Sequence, residues 1–132
     1  MAVTAVQAVD VSQVLATLLA DVDGLRVEWF VSDKSRPPVA VIGLAAIDWQ
    51  DPDAGFCFGT FEVPVTIITA RSNDRDAQLE LSRLVRDVAN ALNTAGDVPG
   101  VFSIDLLDAR PTIATISGQE LPGYLVRVRV RA

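Results

Sequence analysis

Apolar residues recur at helical spacing in two stretches of this chain and alternate with period two in several others. Val11, Val14, Leu15, Leu18, Leu19 and Val22 fall three or four apart, which places them on one face of a helix. Asp10 followed by Gln13 makes a capping-box pattern at its start, and Asp23-Gly24 ends it. A second helix opens in "SNDRDAQLELSRLVRDVANALN", residues 72–93. Ala77, Leu81, Leu84, Val85, Val88 and Leu92 form its apolar stripe, and Asp74 and Asp76 sit where the helix dipole favours negative charge.

Between the helices, residues 25–31, 39–49 and 56–71 read as three strands rich in β-branched and aromatic residues. Pro37-Pro38 forbids helix in the loop before the second strand. Pro64 lies inside the third. It lacks a ladder donor and marks an edge, a bulge or a break there. After the second helix, residues 101–116 and 121–131 read as further strands. The first has an expected interruption at Arg110-Pro111, and a hairpin turn is expected at Ser117-Gly118-Gln119. The order α-β-β-β-α-β-β favours an α+β fold: a mixed, mainly antiparallel sheet with two helices packed on it. The 132 residues suit a single domain, with residues 1–8 as an N-terminal arm.

The closing stretch "YLVRVRVRA" alternates Val126, Val128 and Val130 with Arg127, Arg129 and Arg131. In a strand the valines share one face and the arginines the other. The valine face is core. The arginine face is either a solvated sheet surface or, more sharply, a charge-complementary protein interface, because three adjacent cations repel one another unless acids meet them.

Charge bears on that choice. The chain carries 11 Lys and Arg against 17 Asp and Glu, a net −6. Such a balance argues against free-standing nucleic-acid binding, though not against a pore through which DNA slides. It also supplies acidic surface on neighbouring copies. With no histidine, the usual Ser-His and Cys-His nucleophile pairs and His-ligated metal sites are excluded. Cys57, between Phe56 and Phe58, reads as a small hydrophobe, and a single cysteine allows no internal disulfide. The apolar N-terminus lacks a basic leader and reads as neither signal peptide nor membrane span.

The acids of "DWQDPD", Asp48, Asp51 and Asp53, lack the rest of a calcium loop and read as a solvated turn. Asp105 and Asp108 stand three apart, so a regular strand sends them to opposite faces and they form no acid–base pair. Trp29 and Trp49 do not interleave with basic residues, so they are expected in the core. No cofactor and no metal site is expected.

Four stretches carry a family likeness. They are "VDGLRVEWFVSDKSRPPVAVIGL", "GTFEVPVTIITARSNDRDAQLELSRLVRD", "PGVFSIDLLDARP" and "QELPGYLVRVRVRA". In order and texture the chain resembles the tail-terminator proteins of long-tailed, siphovirus-type bacteriophages. The resemblance implies a structural, non-enzymatic protein at the tail–neck junction of the virion, assembled in the host cytoplasm. There it forms a six-fold ring, stops tube polymerisation and joins tail to head. The implied partners are other copies of itself, the tail tube protein and the head-completion proteins, with genomic DNA passing through the lumen.

The family offers no motif residues, so candidate sites come from the residues themselves. Arg127, Arg129 and Arg131 are expected at an interface. Asp33, Asp51 and Asp53 are expected in loops facing the lumen or an axial partner. A head-completion stopper or adaptor, a tube subunit, and a small ligand-binding or enzymatic α+β domain remain as alternatives.

Overall fold

A computed structural model describes residues 8–29, 36–49, 59–70, 74–94, 101, 103–116 and 118–131. Its elements are α1 (Ala8–Leu19), β1 (Arg26–Glu28), β2 (Val39–Ile42), β3 (Ala46–Asp48), β4 (Thr60–Ile68), α2 (Asp74–Asn93), β5 (Ser103–Ile116) and β6 (Gln119–Arg131). The fold is the α+β arrangement expected: a six-stranded sheet in the order β1-β2-β4-β6-β5, with β3 also on β4. Every pair is antiparallel except β1 with β2.

One face of the sheet carries the main core. Val11, Leu15 and Leu19 of α1 and Leu81, Leu84, Val88 and Leu92 of α2 are buried against it. They meet Ala40, Ile42, Phe61, Val63, Val65, Ile67, Val126, Val128 and Val130, the alternate residues of the three central strands. The helices form because their apolar positions make stripes wide enough to cover that face. Helix α1 begins at Ala8, so Asp10 lies in its first turn and not before it. Glu80 fixes α2 to the end of β4. Its Oε1 accepts from the Oγ1 of fully buried Thr69 at 2.6 Å and from the Ala70 N–H at 3.3 Å.

The prolines and the ladder interact in ways the local pattern does not reveal. Residues 39–49 form two strands, not one. Ile42 pairs with Val65 and Ala46 with Glu62, so the three residues 43–45 oppose only the two residues 63–64. Leu44 is the extra residue of this bulge and stands 94% exposed. Pro64 sits opposite the bulge, and its carbonyl accepts from the Gly43 N–H at 2.8 Å. Its missing donor thus falls where the ladder is already broken, so a proline is tolerated inside a central strand. Gly43 suits the site because a Cβ there would lie 2.8 Å from Pro64 Cγ.

Pro111 causes no interruption either. Strand β5 is an edge strand, where a proline can turn its ring nitrogen outward. The irregularity falls instead between Leu106 and Asp108, where Leu107 is the extra residue. The β5–β6 hairpin closes with Ile116 opposite Gln119, and Gly118 takes the positive φ of 77° that its turn requires. Toward that tip, Ile116 and Leu121 bury a second, smaller cluster with Val39, Val41 and Ile68 on the face away from the helices.

Trp29 and Trp49, expected in the core, are 40% and 66% exposed. They follow the last residues of the short strands β1 and β3. No described helix is long and apolar enough to cross a membrane.

Candidate assembly surface

Both helices pack on the valine side of the sheet, which leaves a charged surface on the other. Three strands build it. The register sets Thr60, Arg131 and Ser103 in one row, then Glu62, Arg129 and Asp105, then Pro64, Arg127 and Asp108, then Thr66, Leu125 and Arg110. The alternation of β6 therefore does what its sequence predicts. Val126, Val128 and Val130 are 4% exposed or less, and Arg127, Arg129 and Arg131 are half-buried on the opposite face.

Asp105 and Asp108 lie together on this face, contrary to expectation. The extra residue Leu107 between them shifts the alternation by one and returns Asp108 to the side of Asp105. The acids that meet the arginines are thus in the same sheet. Arg127 bridges three strands. Its Nε donates to Asp108 Oδ1 at 2.9 Å, Nη2 donates to Asp108 Oδ2, and Nη1 donates to Glu62 Oε1 at 2.8 Å. The fork to Asp108 is bidentate, the geometry that suits a planar guanidinium best. Arg110 adds a longer contact to Asp108 at 3.5 Å.

The charges respond accordingly. The Arg127 hydrogen bonds hold the Asp108 carboxyl below the usual carboxylate range. Partial burial opposes this, while the charges of Arg127 and Arg110 assist. The same hydrogen bonds to Asp108 push the Arg127 guanidinium further above its already high value.

Arg131 reaches Asp105 at 3.6 Å, one row away. Arg127 likewise reaches Glu62 diagonally and not its direct neighbour Pro64. The two carboxylates directly opposite Arg129, Glu62 and Asp105, are therefore both claimed by its neighbours in β6. Among the described residues the Arg129 side chain makes no ion pair or hydrogen bond.

The surface holds four arginines and three carboxylates, with no histidine to activate a hydroxyl and no cluster of three or more metal-ligating side chains among the described residues. What it offers chemically is recognition of charge. Asp33, Asp51 and Asp53 lie outside the described residues, as does Cys57. Sequence reasoning found the arginine row but not the partners. Glu62 stands 65 positions from Arg127, and only the register brings them together.

No family model matches this chain, and no curated protein matches it. Among solved structures, a chain in the "Virion of native gene transfer agent (GTA) particle" shares the fold. The TM-score is 0.51 at 16% identity, over 90% of this chain and 85% of that one.

Proposed function

We propose that this chain is a structural, non-enzymatic component of a phage-like virion. In this reading it forms a ring at the head-proximal end of the tail tube. It ends tube polymerisation there and joins tail to head, and DNA passes through the lumen. The observation that carries the proposal is the shared fold with a chain of a gene transfer agent virion over 90% of this chain. The sequence resemblance to tail terminators points the same way from independent grounds. A net charge of −6 suits a bore that repels phosphate and lets a genome slide. Asp33, Asp51 and Asp53 are the acids assigned to that bore or to an axial partner, and the face of Arg127, Arg129 and Arg131 is assigned to protein contact.

The test is solution mass by light scattering on the purified chain, alone and mixed with tail tubes, with electron micrographs of the mixture. The expected result is a ring, or a monomer that caps tube ends and halts their growth. Growth of the pure chain into long filaments makes it a tube subunit instead. A monomer indifferent to tubes overturns the reading.

A further inference from the structure

Among the described residues most charged side chains are engaged within the chain, and Arg129 and the pair Asp21 and Asp23 are among those that are not. Arg129 is half-buried at the centre of the arginine face, and its facing carboxylates are held by Arg127 and Arg131. Its stem lies in the sheet surface and its charge has no acid within ion-pair distance among the described residues, so a carboxylate brought to it from outside finds a cation already held in place.

The described acids narrow the choice of carboxylate. Asp10, Glu28, Asp48 and Asp76 each already have an interaction within the chain. Glu62, Asp105, Asp108 and Asp87 hold arginines. Asp21 and Asp23 hold none through their carboxylates, and both are exposed. Their turn is preorganised. Val22 between them and Leu25 after them are buried, the Val22 N–H donates to the Leu19 carbonyl at 3.1 Å, and Arg83 donates to the Asp23 carbonyl at 3.3 Å. Little backbone entropy remains to be lost when this turn is bound. Glu120, a single acid, stands on the same hairpin as Arg129.

Topology supplies the rest. The turn at 20–25 feeds β1, one edge strand of the sheet, whereas Arg129 lies in β6 beside the other edge strand, β5. A contact between these two places on different copies is heterologous, head to tail, and such contacts generate rings when the rotation closes. We propose that Arg129 receives the Asp21–Asp23 turn of a second copy of this chain, and that this contact links neighbouring protomers of the assembly. The proposal rests on the ring reading above and names the side chains that join the ring.

The experiment uses the full chain and three variants: Arg129→Gln, the pair Asp21→Asn/Asp23→Asn, and a swap carrying Arg129→Glu with Asp21→Arg/Asp23→Arg. Circular dichroism checks folding, sedimentation velocity reads oligomer mass, and micrographs with tubes read capping. Each neutral variant is expected to weaken self-association roughly tenfold or more, the scale of a lost interfacial charge pair, and the swap to restore it. The surface pair at Asp21 and Asp23 lies outside the sheet, so it keeps the test open if Arg129→Gln folds poorly. Where the wild type self-associates, wild-type mass in either neutral variant overturns the proposal; where it is a monomer that caps tubes, undiminished capping by either neutral variant does; and in both cases so does a swap that folds but restores nothing. A wild-type chain that caps tubes while both neutral variants assemble normally overturns this contact and leaves the terminator reading standing. A wild-type chain that neither assembles nor caps tubes overturns both.

Discussion

The two faces of β6 differ in kind although they share one backbone. Val126, Val128 and Val130 are buried under α2 and between the neighbouring strands, and they contribute through area removed from water. Arg127, Arg129 and Arg131 contribute through charge, in a half-exposed surface where solvent screens each pair. The first face is indifferent to salt and pH and intolerant of shape. The second tolerates shape and depends on both. The difference teaches that one strand can anchor the core from one side and carry a paired charged surface on the other, so the charge can be altered with less cost to the fold than the valines.

The largest expected effect comes from reversing the valine face. Val128→Asp buries an unpaired carboxylate in the main core, at a cost of several kcal/mol against a typical total of about 5–15 kcal/mol. Far-UV circular dichroism is expected to show loss of the native fold. Val128→Ala is milder, about 2 kcal/mol for two lost methyl groups and the cavity they leave, and denaturant titration reads it.

On the other face, Arg127→Met removes the links from β6 to Asp108 and Glu62 while keeping the aliphatic stem. It is expected to lower the melting temperature by less than Val128→Ala does. The deficit should shrink in 1 M salt, a condition under which about 3 Å of screening length remains. A deficit unchanged by salt would mean that Arg127 acts by packing.

The smallest effect is a pH dependence. Asp108 titrates below its ordinary value of 3.8, so its charged form is favoured in the fold. The stability it contributes is present above 3.8 and is lost as pH falls through the lowered folded value. Wild type and Asp108→Asn should therefore differ at neutral pH and converge in strong acid, as read by melting temperature across a pH series. A gap that widened on acidification would contradict the assigned direction.

The legible part of this protein was whatever depends on local periodicity. Two helices, their apolar stripes, the alternation of β6 and the α+β class all follow from spacings of 3.6 and 2.0 along one chain. The bulges did not follow, because an extra residue is defined only against the strand beside it. Leu44 reads locally as one more apolar residue in a run. It is extra because Pro64 faces Gly43. Leu107 is extra because β6 supplies no partner for it, and that one residue brings Asp108 to the face of Asp105 and makes the bidentate pair with Arg127 possible.

The tryptophans failed as core residues for a related reason. Burial depends on what packs over a strand end, which spacing along the chain does not supply, and both are left exposed. By itself, the amino-acid sequence determined which faces exist and that one of them is lined with arginine. Tertiary structure alone decided which acids meet those arginines and which arginine is left over, because ion pairs form between neighbours in space, and register, not spacing along the chain, makes Glu62, Arg129 and Asp105 neighbours.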